Sequence, residues 1–465
     1  MKGSILFSFL AAALTASADI AVSNVKITQD WPWSNKVTVT YNLEGVSEAS
    51  PGEVVVKAYG NGNEIAMQAS GLTGDIYNLK EEGLKTITID PVRAFGKGIE
   101  LIPSFKVSIT ARSVTEASTD VIYKIFDLNE KTVTDVTRGD LLNGKYGTVE
   151  TDFGAIGEGY NTTLDDVLIW TGVTNDIAYK TTKLVLRKIP AGDFKCYLPD
   201  ADIPASKNMT WTFDYWIGVF ELTQKQRSII KAGAQNKALE FLGDTLPDHN
   251  LQNYYLYGCQ QGRNATTNNT SGTIGLFHYL RKMFKNGEDF PYDFELPTQV
   301  QWVRAMRAGA ESYYYDGLIN LINPINVTSN DQYSVLANYV HNGGLVANAD
   351  GTVTTNLMEV GHFRPNAYGL YDTLGNVREY VREAHHTMET LINIFNTTAG
   401  TNCVSVAGAS NHTLTYGGAF NEHGKGFYPY TIETHNAIGG VPYAGVRVCM
   451  QSMDDGVELM KLFNK

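Results

Sequence analysis

VGHFRPNAYGLYDTLGNVREY, from Val360 to Tyr380, is the stretch on which the reading of this chain turns. It joins an asparagine-containing turn (Pro365, Asn366, Tyr368, Gly369, Leu370) to an oxygen-rich loop, Asp372-Thr373-Leu374-Gly375-Asn376-Val377-Arg378-Glu379. Calcium takes six to eight hard oxygens, mixing carboxylates with backbone carbonyls, and a glycine lets such a loop turn sharply. Asp372 and Glu379 can supply carboxylates, while the carbonyls of Gly375 and Val377 can point inward. An acidic turn capped by its own amides is the competing reading of the same residues.

Working upstream, Leu296-Pro297-Thr298-Gln299-Val300-Gln301-Trp302 is a helix entry. Thr298 with Gln301 is a capping-box pair, and Pro297 stops the helix from extending backward. Val300, Val303 and Met306 recur at helical spacing as a buried stripe, flanked by Trp302 and Arg307, so these residues are structural first. Thr223 with Gln226 marks a second helix start, after Phe213-Asp214-Tyr215-Trp216-Ile217-Gly218-Val219-Phe220-Glu221-Leu222. Further upstream, Leu184 to Leu186 lead into Ile189-Pro190-Ala191-Gly192-Asp193-Phe194, a strand and turn.

The N-terminal part reads differently. Val37, Val39, Tyr41 and Leu43 alternate with polar residues, the period of a half-buried strand. Val54 to Tyr59, the turn Gly60-Asn61-Gly62-Asn63, then Ile65 and Met67, make a hairpin pattern. Leu84, Ile87 and Ile89 form another strand, and Phe105, Val107 and Ile109 a further one. Short strands at this spacing predict a β-sandwich of immunoglobulin or fibronectin type, with a spacer or adhesion role. The expected layout is a signal peptide over 1–18, the sandwich over 19–113, a connecting region over 114–178 holding a strand at Val121–Phe126, a large domain over 179–452 and a tail over 453–465.

At 465 residues the chain has room for two or three cores. A formal charge of −12 argues against nucleic-acid binding, which needs a basic face. Lys2, the apolar Ile5 to Leu14 and Ala16-Ser17-Ala18 form a secretory signal, so the mature chain is expected to begin at Asp19 and to work as a secreted, periplasmic or cell-surface protein. That apolar run is too short to span a bilayer, and no later stretch is long enough. Cys196, Cys259, Cys403 and Cys449 allow two disulfides in three connectivities. No Cys/His spacing suggests zinc, and the nucleophile-elbow, P-loop and dinucleotide fingerprints are missing.

Taken together, the 360–380 stretch, the Leu296–Trp302 helix entry, Gly445-Val446-Arg447 and the two strands around Ile189 and Tyr215 resemble the formylglycine-generating, sulfatase-modifying-factor family from about Tyr179 to Met450. The resemblance implies an α+β domain of the C-type-lectin-like class after the all-β sandwich. It implies a structural calcium through Asp372, Gly375, Val377 and Glu379, and a second calcium position beginning at Asn338-Tyr339 and continuing at Asp350. In the family, two cysteines after a Gly-Gly pair bind copper and oxidise a substrate cysteine, since soft thiolates suit Cu(I). Here Gly417-Gly418 is followed by Glu422 and Phe427 at those two positions, so no copper is expected. Cys449, after Gly445-Val446-Arg447, reads as a disulfide partner or core thiol in a buried strand. The iron-dependent relatives' His-x3-His-x-Glu motif is absent, and the adjacent pair His385-His386 points apart on any regular element. Glu422, His423, Glu433 and His435 are the residues that could converge where the copper site would lie, for acid–base work or a hard metal.

Two functions compete at this stage. One is a calcium-stabilised, non-catalytic scaffold whose tyrosine-rich loops (Tyr254-Tyr255, Tyr313 to Tyr315, Tyr428 and Tyr430) bind a glycan or protein ligand. The other is an oxidoreductase of the family with a different metal or residue set.

Overall fold

The computed structural model describes residues 20–29, 34–65, 72–76, 79–91, 94, 102–113, 119–142, 144–149, 168–197, 206–230, 242–249, 275–284, 291–309, 346–347, 353–354, 357–383, 412–420, 433–436, 443–452 and 454–455. They divide into two compact units, one within Met1–Ile65, Thr73–Ile89 and Pro103–Ala117, the other formed by the remainder.

The first unit is all β. Its strands are β1 (Ala21–Gln29), β2 (Val37–Glu44), β3 (Gly52–Gly60), β4 (Asn63–Ile65), β5 (Leu72–Gly74), β6 (Gly83–Ile89) and β7 (Lys106–Ser113). They make a four-stranded sheet in the order β1-β2-β6-β5 and a three-stranded sheet β4-β3-β7. The alternation in β2 has the expected cause: Val37, Val39, Tyr41 and Leu43 are buried while their neighbours stay partly exposed. At the β3–β4 hairpin Asn61 and Gly62 take φ values of 50° and 84°, and two successive positive φ angles match the right-handed twist of the flanking strands. Leu84 does not follow the core pattern of its strand; it is 70% exposed, whereas Ile87 and Ile89 are fully buried.

The second unit is α+β. Its main sheet runs β14 (Tyr292–Glu295), β21 (Cys449–Ser452), β13 (Tyr215–Gly218), β10 (Lys183–Ile189), β8 (Val121–Asp127), β9 (Thr132–Thr137). The described pairings in it are antiparallel. Residues expected in a connector thus supply two strands of this sheet, and Trp170 is fully buried, with its indole N–H donating to the Tyr146 carbonyl at 2.8 Å. Because successive side chains of a strand face opposite ways, β10 feeds two cores. Leu184 and Leu186 join Phe126, Trp216, Phe294 and Met450 on one face, against the helices Gln224–Ile230 and Leu276–Phe284. Val185 joins Tyr123, Ile125, Trp170 and Val219 on the other. Each such large apolar side chain contributes about 1.5–3 kcal/mol on burial.

Two further hairpins are β11 (Gly192–Tyr197) with β12 (Ser206–Trp211), and β15 (Val346–Ala347) with β16 (Val353–Thr354). A last sheet has the order β19 (Glu433–Asn436), β18 (His412–Tyr416), β17 (Arg378–Tyr380), β20 (Ala444–Gly445), with β17 and β20 parallel.

Both capping boxes form. Thr298 Oγ1 accepts from Gln301 N at 3.1 Å and Gln301 Oε1 accepts from Thr298 N at 2.9 Å. The Thr223–Gln226 pair does the same at 3.2 and 3.0 Å. The Gln299–Arg307 helix departs from the expected stripe, because every residue from Val300 to Arg307 is buried. Its polar members are held by specific bonds: Arg304 donates to the Pro190 and Asp193 carbonyls, and the Gln301 amide to Gln451.

A buried acid and arginine cluster in the 357–383 segment

The Val360–Tyr380 stretch is a buried frame laid around that helix and the main sheet. Asn366 Nδ2 donates to the carbonyls of Ala305 and Met306 at 2.8 and 2.9 Å, while its Oδ1 accepts from the amides of Tyr368 and Leu370. One side chain therefore satisfies the open C-terminal carbonyls of the Gln299 helix and folds its own turn. Gly369 needs its φ of 73° here, and a Cβ on it would lie 2.8 Å from the Tyr123 hydroxyl.

The oxygen-rich loop follows at once. Asp372 and Asn376 take φ values of 54° and 57°, the left-handed region that short polar side chains tolerate. Asn376 ties three segments together, with Oδ1 accepting from Met358 N and Nδ2 donating to Met358 O and to Glu221 Oε2. Glu221 Oε1 accepts from Val377 N at 3.1 Å. Gly375 N donates to Gly417 O and Arg378 N to Tyr443 O. Gly445 admits no side chain, because a Cβ there would meet the Asp248 carbonyl at 2.4 Å.

At the centre stands Arg447, fully buried. Its guanidinium donates from Nε to both oxygens of Glu379 at 3.0 and 2.9 Å, and from Nη2 to Glu379 Oε1 at 2.5 Å. Nη2 also reaches the carbonyls of Tyr371 and Asp372, and Nη1 those of Gly218 and Val219. Glu379 Oε2 accepts in addition from the Trp302 indole N–H at 2.6 Å. Burial pushes the Glu221 carboxyl well above the usual range, helped by the negative charges of Asp372 and Glu379. Asp372 is pushed up to about 6 by burial, against the Gly361 amide and the Arg447 charge, which pull it down. Its Oδ2 accepts from Gly361 N at 2.5 Å, while Oδ1 and the neighbouring Thr373 hydroxyl are buried without a hydrogen-bond partner.

The calcium expectation can be tested on these atoms. Among the described residues no three His, Cys, Asp or Glu side chains are grouped so as to hold a metal ion. Both oxygens of Glu379 are taken by a guanidinium and an indole. With Glu379 so engaged, the set Asp372, Gly375, Val377 and Glu379 does not fit calcium. Asn338, Tyr339 and Asp350 lie outside the described residues, as do Glu422, His423, Phe427, Cys259 and Cys403. Glu433 and His435 stand in β19, in register with Thr415 and Thr413 of β18.

Glu221, Glu383 and Asp248 are buried acids that the sequence does not single out. Glu383, just past β17, accepts from Gln299 N through Oε2 at 2.7 Å, its Oε1 has no partner, and burial pushes it up to about 7. Tyr416 packs on Trp302 with ring centroids 5.0 Å apart, and burial raises its hydroxyl well above the ordinary range. Asp248, facing Arg227 at 2.8 Å, is also pushed up to about 7 by burial. The only sequence signal for Glu383 is a charged residue ending a strand-like run, which is too common to select it. Cys196 and Cys449 are both buried, and burial raises the Cys449 thiol far above its ordinary range.

A family model described as a sulfatase-modifying factor enzyme 1-like domain matches residues 178–452. No curated protein matches the chain in sequence. Solved structures similar to it include the following three. PvdO from Pseudomonas aeruginosa is 16% identical with a TM-score of 0.41, over 57% of this chain and 94% of that one. Treponema denticola variable protein 1 is 15% identical with a TM-score of 0.39, over 57% and 95%. CarF is 16% identical with a TM-score of 0.35, over 58% and 98%.

Proposed function

Because the chain belongs to the sulfatase-modifying factor enzyme 1-like family over residues 178–452, we propose that its large domain is a non-catalytic scaffold that binds a glycan or protein ligand outside the cytoplasm. One observation carries the reading. Where the resemblance places the two copper thiolates, this sequence has Glu422 and Phe427. A carboxylate is a hard ligand poorly matched to Cu(I), and a phenyl ring has no donor atom. The described thiols offer no substitute: Cys449 lies in β21 with its sulfur buried and protonated, and Cys196 is buried in β11. The export reading rests on Lys2, the apolar core and Ala16-Ser17-Ala18. The tyrosine runs Tyr254-Tyr255, Tyr313 to Tyr315 and Tyr428 with Tyr430 suit a binding surface, since tyrosine gives contact area at low entropic cost.

The test pairs glycan-array and secreted-protein binding with metal analysis of the purified full chain. Saturable binding to one ligand class, without copper or iron, is the expected result. Stoichiometric copper or iron with no saturable ligand would instead support an oxidoreductase that uses another residue set.

A further inference from the structure

The Glu379 carboxylate, one of the groups that mark the 372–379 loop for a cation, already has a cation on it, and the chain supplies it. Arg447 brings together both carboxylate oxygens of Glu379 and the carbonyl oxygens of Gly218, Val219, Tyr371 and Asp372, all within 2.5 to 3.2 Å of its nitrogens. A carboxylate joined by backbone carbonyls is the kind of donor mixture a hard metal would use. A planar guanidinium with five N–H groups meets it instead, in fixed directions and with a charge that does not titrate. We propose that the Arg447 guanidinium is the resident cation of the 372–379 loop, and that this loop holds its shape without a divalent metal.

The geometry on either side agrees. Arg447 and Glu379 are each 1% exposed or less. A metal bound at Glu379 would displace the guanidinium, stranding a buried positive charge, or sit against it as a like charge. The other fixed points of the loop are also internal: Asn376 to Met358 and Glu221, Val377 N to Glu221, Gly375 N to Gly417, Gly361 N to Asp372. With both Glu379 oxygens engaged, the loop's carboxylates leave a calcium ion one open oxygen, Asp372 Oδ1. This inference stands apart from the proposed function, because it holds whether or not the domain binds a ligand.

Hydrogen exchange read by mass spectrometry on the full chain tests it locally. The readout is the peptide spanning 371–381, with calcium present and after exhaustive chelation, so that a metal bound elsewhere does not enter. Exchange in that peptide should agree within about two-fold between the two conditions, while Arg447→Lys should speed it at least ten-fold, since one ammonium has three donors where the guanidinium meets six acceptors from the loop and its neighbours. Ten-fold faster exchange of the wild-type peptide on chelation would overturn the proposal. So would an Arg447→Lys variant whose peptide exchanges like wild type. If that variant fails to fold, the wild-type comparison decides alone.

Discussion

Replacing Arg447 by methionine isolates the energetics of the cluster. Methionine roughly preserves the buried stem but leaves Glu379 as a carboxylate without its cation beside the buried Glu221 and Asp372, with four carbonyls stripped of a donor. Breaking a buried pair by removing one partner costs about 3–5 kcal/mol. Against a total stability of about 5–15 kcal/mol for a typical domain, that is a large fraction. Glu379→Gln in the same background removes the stranded charge while keeping an acceptor for the Trp302 indole at the same place. The double variant should therefore be more stable than Arg447→Met alone by about 1–3 kcal/mol, the usual size of coupling between contacting residues. Urea unfolding followed by tryptophan fluorescence reads this directly, since Trp302 donates to Glu379. A loss below about 1 kcal/mol for Arg447→Met, or a double variant whose loss equals the sum of the two singles, would refute the view that these side chains act as one buried unit.

Thr298→Ala should cost about 1 kcal/mol, within the usual range of roughly 0.5–2 for a lost N-cap, because the Thr298 hydroxyl accepts from Gln301 N; an unchanged urea midpoint would deny the cap any role. Glu383, held near 7 when folded, binds a proton that the unfolded chain releases near 4.3. Its contribution to stability is thus fully present below about pH 4 and is lost as pH rises to about 7, a swing of order 3 kcal/mol. Glu383→Gln should flatten the pH–stability curve over that window, and a curve of unchanged slope would contradict the burial argument. Mass spectrometry of exported material should find a chain starting at Asp19, and an intact Met1 would defeat the export reading.

Local rules were legible in the text where the interaction is local. The Thr298–Gln301 and Thr223–Gln226 boxes span three residues each, and both form. The alternation of β2 and the Asn61-Gly62 turn are likewise readable, because strand period and positive φ act on neighbours. The candidate site was legible as a place but not as a contact map. The Asp372 to Glu379 loop stands out by composition, yet the partner of Glu379 lies 68 residues away. A carboxylate spaced for calcium looks the same in sequence as one paired with a distant arginine. Asn366 reads as a turn residue, but its amide also caps a helix about 60 residues earlier. The Val121–Phe126 strand was recognisable by its apolar run, whereas its pairing with β10 was not, since nothing within the strand names its neighbour.

The central claim is that this member of the sulfatase-modifying factor family has given up the oxidation of cysteine. Copper-loaded full-length protein incubated under oxygen with a peptide carrying a sulfatase motif measures that directly. The account predicts a peptide of unchanged mass, because Glu422 and Phe427 stand at the thiolate positions and the Cys449 sulfur is buried and protonated. Conversion of the peptide cysteine to formylglycine, abolished by Cys403→Ser or Cys449→Ser, would contradict it.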